Sequence, residues 1–508
     1  MGVRDLFPTL RKLVPDAVRP LASLSALPHA AKFAIDGHLV TTKLHFGGGA
    51  GARPVVEGWY RLLRELNLRG IGAVVVFDCD VARNRLKARE RVRRHTARAL
   101  SRSRGEAELV RTERLELLRD ARPRREGGGE VAAGLYDEFR RDRDNPVYSK
   151  TQRLLSVEEG RVYASILPTV VAVDTDTDTD TEPDLDDHVV DLDSLVERSA
   201  RLSQAHLSRS VPVPRHVFHD VKALIAAMGY PVLTPMTTND EDEDEDPPEA
   251  ESVCSLLYHR SDVTGVTHVV SEDTDVLVYS AKLLRKLSTS TSTSTTTNAE
   301  QQHEMTVTDP DDVREQLGLD RLEFTDWCLL CGTDFTDRLP LLGPSRALAL
   351  VRQYGSIEAA FKDDAVRTKY FPPPPPPGVP VDEDLVDAEP ERRRDTFDEY
   401  MDRVDAARKV FLELPRLIDV VRECETHNVL TARDDLDDDD DEVRAEWFDK
   451  KEERTDEVER LKRRFGIATS RGRRPGGRGR RPEDDGGVEL DDEWSSEDEF
   501  LKRYKVRP

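Results

Sequence analysis

Short apolar runs rich in β-branched residues alternate along the chain with segments of helical spacing. The runs that end at Asp36 and Asp78 predict buried strands, and residues 267–279 predict a strand, a turn and a helix. Helical spacing predicts further helices at 54–68 and 217–228. This alternation favours an α/β fold with a mostly parallel central sheet flanked by helices.

Between the periodic segments lie polar tracts that cannot bury themselves, such as the Asp-Thr repeat at 174–180. These tracts define the predicted domain organisation. The predicted divisions are 1–125, an N-terminal α/β region ending in basic helices; 126–212, a low-complexity insertion without periodicity; 213–287, an internal α/β region; 288–305, a Ser/Thr-rich insertion; 306–425, closing helices; and 426–508, a charged, mostly disordered tail with one charged helix at 442–465.

Composition and charge indicate how much of the chain forms a core and which partners it can bind. Only 37% of the 508 residues are hydrophobic and 35% are charged, so part of the chain is expected to form no core. The net charge of −24 argues at first against a polyanionic partner. Residues 83–125, however, hold sixteen Lys or Arg against six Asp or Glu. Because charge placement matters more than the total, a nucleic-acid partner is compatible with the sequence.

The five cysteines are sparse and odd in number, which favours a reducing compartment. Cys328 and Cys331 have the spacing of a redox or zinc pair. They lie in an apolar helical segment without a second pair, so core packing is the favoured interpretation. The sequence has no apolar run of transmembrane length and no signal peptide, and no membrane partner is expected.

Seven acidic residues form the main candidate site. They are Asp36, Asp78, Glu249, Glu251, Asp273, Asp275 and Asp334. Several follow predicted strands, and ligands gather at the carboxyl ends of strands in an open α/β sheet, so we expect these residues to meet there. Carboxylates in such a group cannot all ionise without a cation among them, and Mg²⁺ or Mn²⁺ prefer oxygen ligands. Any one aspartate could instead be an ordinary helix N-cap.

Motifs at widely separated positions occur in a fixed order. They are Met1–Leu6, Val14–Arg19, Leu224–Pro231, Glu249–Glu251, Val270–Asp275, Leu329–Phe335 and Leu342–Ala347. This ordered set resembles the flap endonuclease (XPG-like) family of structure-specific nucleases, of which the chain would be a divergent member with low-complexity insertions. The resemblance implies a PIN-like nuclease fold with a helical arch and a helix–two-turn–helix DNA-binding motif.

The resemblance also implies an activity. The seven acidic residues would hold two Mg²⁺ ions, for which Mn²⁺ could substitute, and the enzyme would hydrolyse phosphodiesters without a covalent nucleophile. The implied enzyme is a 5′ nuclease of the flap endonuclease or 5′–3′ exonuclease type, acting on branched or ended DNA. Two alternatives are an endoribonuclease or mRNA-decay factor of the same fold, and a catalytically weak nucleic-acid-binding scaffold. Retention of all seven carboxylates speaks against the scaffold.

In the family, one lysine and one arginine of the basic arch hold the scissile phosphate. The candidates are Arg85 and Lys87 for the first, and Arg91, Arg93 and Arg94 for the second. The register is open because Cys79 replaces the family's usual glycine after Asp78. A charged helix exposed to solvent is the alternative interpretation.

Other contacts to nucleic acid are implied near Gly2, which would pack beside the site, and near Gly343, Ser345 and Arg346, which would bind duplex phosphates. Leu341 stands where the family pattern has the first of two glycines.

The Arg/Gly-rich stretch 470–481 suits DNA, RNA or a nuclear import receptor. The sequence has no recognisable sliding-clamp peptide. We expect a monomer in the nucleus, with the mitochondrion and the cytoplasm as alternatives.

Overall fold

The computed structural model describes most of the chain as two compact units. The described residues are 2–28, 30–47, 52–79, 85–121, 128–167, 191–235, 248–287, 305–372, 395–427 and 448–467. Unit 1 comprises Met1–Leu44, Gly51–Glu90 and Arg215–Arg480, and unit 2 comprises His45–Ala50, Arg91–Pro214 and Arg481–Pro508. Each unit has a buried apolar cluster of its own among its described residues.

Unit 1 is built on a sheet that has eight strands within the described residues. The strands are β1 (Val18–Leu21), β2 (Lys32–Asp36), β3 (Gly72–Val76), β4 (Val232–Pro235), β5 (His268–Val270), β6 (Leu283–Arg285), β7 (Met305–Thr308) and β8 (Cys424–His427). Their order across the sheet is β1-β7-β6-β5-β2-β3-β4-β8. The strands from β6 to β4 run parallel, whereas β7 and β8 run antiparallel to their inner neighbours. This mostly parallel sheet confirms the predicted α/β fold class.

The centre of the sheet is buried because its strands are apolar. Residues 33–35 of β2 and 74–76 of β3 are almost completely excluded from solvent. Strands covered on both faces have such continuous apolar runs instead of alternating apolar and polar residues. Asp36 is the last residue of β2, and Asp78 follows β3 by two residues, so both carboxylates lie at carboxyl ends of neighbouring strands.

Helices flank the sheet and build unit 2. In chain order they are α1 (Leu6–Leu13), α2 (Gly37–Gly47), α3 (Ala52–Leu68), α4 (Ala88–Ala121), α5 (Gly128–Asp142), α6 (Lys150–Ile166), α7 (Leu192–Ser210), α8 (Arg215–Ala227), α9 (Ala250–His259), α10 (Ser261–Thr264), α11 (Asp275–Val278), α12 (Pro310–Leu317), α13 (Arg321–Cys331), α14 (Pro344–Tyr354), α15 (Ile357–Lys362), α16 (Asp364–Tyr370), α17 (Phe397–Leu412), α18 (Leu417–Glu423) and α19 (Thr455–Arg464). The helices predicted at 54–68 and 217–228 are confirmed as α3 and α8, each within two residues of its predicted ends.

Unit 2 contains most of α4 together with α5, α6 and α7. The prediction of a low-complexity insertion at 126–212 is therefore wrong for 128–142, 150–166 and 192–210, which are helical. The error has a physical reason, because the apolar residues that pack there are spread thinly among charged ones. They include Leu115, Leu135, Tyr136, Phe139, Leu155, Tyr163, Leu195 and Leu202. The Asp-Thr repeat lies outside the described residues.

Residues 448–467 are folded as part of unit 1, so the prediction of a mostly disordered tail is wrong for this segment. Phe448 is fully buried, and the N–H of Lys451 donates to the carbonyl of Gly229 at 2.8 Å. Gly229 has a φ of +85°, and a Cβ there would lie 2.2 Å from the Lys451 carbonyl oxygen. The helix in this segment, α19, is shorter than the one predicted at 442–465.

The remaining domain boundaries stay predictions, since most of the Ser/Thr-rich insertion at 288–305 lies outside the described residues. Within the part of the chain that the structure describes, no helix combines the length and the apolar character needed to cross a membrane.

Candidate metal centre

All seven predicted carboxylates belong to unit 1. They are Asp36 at the end of β2, Asp78 after β3, Glu249 and Glu251 at the start of α9, Asp273 and Asp275 between β5 and α11, and Asp334 after α13. Strands β5, β2 and β3 are neighbours in the sheet, so their carboxyl ends meet at one edge. The fold thus supplies the edge at which the sequence predicts these side chains.

Asp36 is fixed by two hydrogen bonds. Its Oδ1 accepts from the N–H of Leu39 at 2.9 Å, and its Oδ2 accepts from the hydroxyl of Ser271 at 3.1 Å. The Ser271 oxygen also accepts from the N–H of Asp273 at 3.0 Å. One hydroxyl therefore links the carboxylates that follow β2 and β5. Sequence reasoning gave Ser271 no role, although it stands directly before the acidic residues of its motif.

Asp78 joins the site to the first turn of α9. Its Oδ1 accepts from the N–H of Ala250 at 3.0 Å, one of the N–H groups that a helix start leaves without an intrahelical partner. Its Oδ2 lies 3.5 Å from His38 Nδ1. The His38 ring stacks on Phe218 with 4.6 Å between ring centroids. Sequence reasoning missed His38, whose place two residues after Asp36 was the available signal.

Glu249 and Glu251 have different neighbours. Glu249 is the N-cap residue of α9 and Glu251 lies in its first turn. Side chains two residues apart on a helix do not share a face. Glu249 pairs with Lys87, with 2.7 Å between Oε2 and Nζ, whereas the strongest charge acting on Glu251 is that of Asp36.

Asp273 and Asp275 lie against the N-terminal segment. The N–H of Asp275 donates to Asp273 Oδ1 at 3.0 Å. Gly2 has a φ of +81°, and a Cβ there would lie 1.9 Å from Asp273 Oδ1 and 2.9 Å from Asp275 Oδ1. Only a glycine fits this position without moving the carboxylates. The predicted position of Gly2 beside the acidic residues agrees with this geometry.

Asp334 lies in a tight loop after α13. The N–H of Thr333 donates to the carbonyl of Thr336 at 3.0 Å, and the Thr336 hydroxyl donates to the carbonyl of Leu329 at 3.1 Å. These bonds close the loop onto the end of the helix. The Asp334 side chain is 10% exposed, and its Oδ2 lies 3.4 Å from Lys87 Nζ.

Lys87 lies among the carboxylates. Its ammonium pairs with Glu249 and Asp334 and lies 5.0 Å from the centre of the Phe335 ring. Burial alone would lower the pKa of Lys87, but the surrounding carboxylates, Glu249 first among them, raise it well above its usual value. Lys87 is therefore positively charged near neutral pH.

Burial raises the pKa of five carboxyl groups in this cluster, and repulsion by neighbouring carboxylates adds to the effect. Burial, assisted by the charge of Asp78, raises the pKa of Asp36 to about 8. Burial raises the pKa of Glu249 to about 7 although Lys87 opposes it. Burial also raises the pKa values of Glu251, Asp273 and Asp275, those of Glu251 and Asp275 well above the usual range. Near neutral pH these groups need additional positive charge to ionise together.

The donor set fits hard divalent cations. Among the described side chains, no three His, Cys, Asp or Glu residues are already arranged to ligate one ion. Asp275 Oδ1, however, is buried without a hydrogen-bond partner. Such an oxygen is costly to bury, and Mg²⁺ and Mn²⁺ take carboxylate oxygens as ligands. The chemistry of these residues is thus that of a divalent-cation site.

The five arch candidates differ in the unit and the element to which they belong. Lys87 belongs to unit 1 and reaches the carboxylates. Arg85 lies exposed in the same short 3₁₀ turn, Arg85–Lys87. The other three, Arg91, Arg93 and Arg94, lie on α4 in unit 2. The predicted long basic helix is confirmed as α4, which runs for 34 residues.

The predicted duplex-binding residues lie at a helix hairpin. Gly343 is the N-cap residue of α14, and Ser345 and Arg346 lie in its first turn. Arg346 Nη1 donates to the carbonyl of Leu341 at 2.7 Å. Leu341 is 75% exposed and has a φ of +63°, so the backbone keeps a glycine-like conformation where the family pattern has glycine.

Comparison with known proteins gives the site its context. The family model for the XPG I-region matches residues 245–334, a range that contains five of the seven carboxylates. Flap endonuclease 1 of Talaromyces stipitatus is 31% identical over 205 residues, which is 36% of this chain and 46% of that protein. Residues 245–334 of this chain thus match the XPG I-region, and part of the chain is similar to flap endonucleases.

Other comparisons describe the extent of the likeness. Flap endonuclease 1 of Uncinocarpus reesii is 34% identical over 174 residues, 33% of this chain and 38% of that protein. The chain thus spans less than half the length of these two flap endonuclease relatives. Flap endonuclease-1 from Methanococcus jannaschii, a solved structure, is 16% identical with a TM-score of 0.34, covering 78% of this chain and 96% of that chain. The catalytic core of Rad2 in complex with DNA substrate is 14% identical with a TM-score of 0.41, covering 91% and 95%.

Proposed function

We propose that the protein is a divalent-metal-dependent, structure-specific 5′ nuclease that hydrolyses phosphodiesters in branched or ended DNA. The observation that carries this proposal is the group of seven carboxylates at the carboxyl ends of the central strands, most of them buried, in which Lys87 pairs with Glu249 and Asp334. Buried carboxylates with too little positive charge among them are costly unless a ligand compensates them. The similarity of part of the chain to flap endonucleases supports a divalent metal as this ligand and phosphodiester hydrolysis as the reaction.

The metal ligands would be the seven carboxylates. When bound there, two Mg²⁺ or Mn²⁺ ions would supply an activated water and stabilise the charge that develops on the attacking and leaving oxygens. Ser271 would keep two of the ligands in place, because its hydroxyl donates to Asp36 and accepts from the backbone of Asp273. Gly2 would allow the N-terminal segment to exclude water from Asp273 and Asp275.

Lys87 would bind the scissile phosphate. Its ammonium has a raised pKa and already lies beside two of the carboxylates, so it would offer a permanent positive charge next to the reacting phosphorus. Of the five arch candidates, Lys87 is the one that we propose for this contact. Arg85, Arg91, Arg93 and Arg94 stay candidates for contacts to other phosphates.

The hairpin before α14 would bind the duplex part of the substrate. Backbone N–H groups at a helix start bind phosphate oxygens, and Gly343 lets a phosphate approach closely. Leu341 would add an apolar contact to the sugars, where the family pattern has glycine.

The test is a cleavage assay on end-labelled flap, nicked duplex and single-stranded DNA, and on the same shapes in RNA. We expect cleavage of branched or 5′-ended DNA with Mg²⁺ or Mn²⁺, no cleavage with EDTA, and none by Asp334→Asn. The matched control is Asp262→Asn, because Asp262 is an exposed aspartate of the same unit. If only RNA is cleaved, the proposed substrate changes from DNA to RNA. Full activity of Asp334→Asn would overturn the assignment of the metal site.

A further inference from the structure

A second set of ion pairs lies next to Lys87 and involves Arg89 at the start of α4. Arg89 Nη1 lies 3.1 Å from Asp337 Oδ2. Its two terminal nitrogens also contact both carboxylate oxygens of Asp395, at 2.9 and 2.5 Å. Two parallel hydrogen bonds of this kind fix direction as well as distance, which a lysine could not do.

Arg403 on α17 completes this set from the other side. Its Nη2 lies 2.5 Å from Asp395 Oδ2, and its Nη1 lies 3.6 Å from Asp337 Oδ2. The two arginines and two aspartates balance in charge. Asp395 is only 8% exposed, so its interaction with the arginines is less screened by solvent than that of an ordinary surface pair.

Lys87 and Arg89 reach the same loop through different aspartates. Lys87 pairs with Asp334 and Arg89 pairs with Asp337, three residues further on. Side chains two residues apart at a helix start point in different directions. The two attachments therefore fix both the position and the rotation of the turn that carries Lys87.

We propose that Arg89 is a positioning residue that holds Lys87 in the carboxylate cluster. Its contacts to Asp337 and Asp395 tie the start of α4 to the loop that carries Asp334 and to the segment that leads into α17. Arg89 does not itself need to touch substrate, because its guanidinium is engaged by these two carboxylates. This inference rests on the proposed function through the role of Lys87.

The first test is a double-mutant cycle on the single-turnover cleavage rate. Arg89→Ala should slow cleavage about tenfold or more while changing the substrate Kd less than about twofold. If Arg89 acts through Lys87, then Arg89→Ala should cause no further loss in a Lys87→Ala background. Additive losses would show an independent role and overturn the proposal. Arg89→Lys, which keeps the charge but not the paired hydrogen bonds, should fall between wild type and Arg89→Ala.

The matched control for the variant is Arg464→Ala. Arg464 is an exposed arginine of the same unit that pairs with Asp220 at 3.1 Å, and no part of the candidate site includes it. Arg464→Ala should cleave at the wild-type rate. Thermal unfolding of every variant would identify any that fails to fold, in which case Arg89→Lys carries the test.

The second test does not depend on cleavage. Amine acetylation followed by mass spectrometry measures how accessible each lysine is in the metal-free protein. Lys32 is a suitable reference for Lys87, because the side chains of Lys87 and Lys32 are 15% and 13% exposed and each is paired with a carboxylate. Arg89→Ala should raise acetylation of Lys87 severalfold relative to Lys32, and Arg464→Ala should not. An unchanged ratio would overturn the proposal.

The two tests separate this inference from the proposed function. If the wild-type protein cleaves no nucleic acid but Arg89→Ala exposes Lys87, the positioning contact stands and the nuclease assignment fails. If the wild-type protein cleaves and Arg89→Ala cleaves equally fast, the nuclease assignment stands and the positioning role fails.

Discussion

Two charge clusters among the described residues, one in each unit, are composed differently. In unit 2, Arg111 and Arg114 are inserted between carboxylates: Arg111 Nη1 lies 2.7 Å from Glu108 Oε2, and Arg114 Nε lies 2.6 Å from Glu159 Oε1. In unit 1, Lys87 pairs with Glu249 and Asp334 beside the other carboxylates of the candidate metal centre. Most side chains of both clusters are buried, although Asp78 is 40% exposed, and only the unit 2 cluster comes close to balancing its own charge.

Hydrogen bonding differs in the same way. In unit 2, Glu108 also accepts from Gln152 Nε2 at 2.9 Å and from the Ser199 hydroxyl at 2.8 Å. In unit 1, Asp275 Oδ1 is buried and has no such partner. A satisfied buried network makes a core specific, whereas an unsatisfied one destabilises it unless a ligand binds. This difference supports a structural role for the unit 2 cluster and the proposed metal-binding role for the unit 1 cluster.

The largest expected effect that tests this comparison is on catalysis. Asp275→Asn removes one negative charge from the unbalanced cluster without changing its volume. We expect cleavage to fall by a factor on the order of a thousand, about 4 kcal/mol of transition-state stabilisation. The metal-free variant should unfold no more easily than wild type, because repulsion among the carboxylates is relieved. Single-turnover kinetics and chemical denaturation in EDTA measure the two quantities, with Asp262→Asn as the control.

The same change in unit 2 should have the opposite outcome. Glu159→Gln leaves Arg111 and Arg114 buried with fewer negative charges, and breaking a buried ion pair in this way costs about 3–5 kcal/mol. We expect a loss of unfolding free energy of this order, measured by denaturant unfolding with helical circular dichroism. Glu197→Gln, in an exposed pair of the same unit, should cost less than about 1 kcal/mol. Equal costs for both variants would show that the unit 2 network does not stabilise the fold.

A smaller effect concerns pH in the metal-free protein. The pKa values of Asp36 and Glu249 are raised by burial to about 8 and about 7, above those of the unfolded chain. Between about pH 4 and pH 8 the folded state holds protons that the unfolded state has released, so stability falls as pH rises. In EDTA we expect the Tm to decrease through this window. Saturating Mg²⁺ should restore about 2–3 kcal/mol at pH 8 and less at pH 6. An equal effect of Mg²⁺ at both pH values would contradict the charge imbalance.

The smallest effect has the opposite pH dependence and belongs to unit 2. Burial, with the charges of Arg209 and Arg104, lowers the pKa of His206 to about 4. The unfolded chain binds a proton there below its ordinary pKa, so stability is lost as pH falls from about 6.5 towards 4. We expect a loss of about 1 kcal/mol at pH 5.5, visible as faster hydrogen exchange in α7, which His206→Gln should remove. His219→Gln, at an exposed position of unit 1, should leave this exchange unchanged.

Sequence reasoning predicted the central strands and the carboxylates because both depend on local patterns. The apolar run before Asp36 predicts a buried strand, and the recurrence of acidic residues after such runs favours a ligand site over separate helix caps. The sequence alone does not show whether Arg85 or Lys87 is the residue that reaches the carboxylates. The answer depends on where the helix after Asp78 begins and on which loop its first turn contacts. That loop carries Asp334, far away along the chain.

The helices of unit 2 were missed for a different reason. Arg111 and Glu159 are residue types that usually lie on a solvated surface. Both are completely buried here, where they form an ion pair with each other. No local pattern distinguishes a buried ion pair from an exposed one. The contact of Gly229 with the Lys451 backbone is equally invisible in sequence, since a glycine after a helix is also explained by ordinary helix termination.

The order of the strands along the chain affects when the site can form during protein synthesis. The central strand, β2, is made early, but its neighbour β5 and the edge strand β8 come hundreds of residues later. At about 5–20 residues per second, roughly 15–60 s separate the synthesis of Asp36 from that of Asp334. During this interval a nascent chain has no complete carboxylate cluster. Translation itself therefore delays any activity at this site until most of the polypeptide has been made.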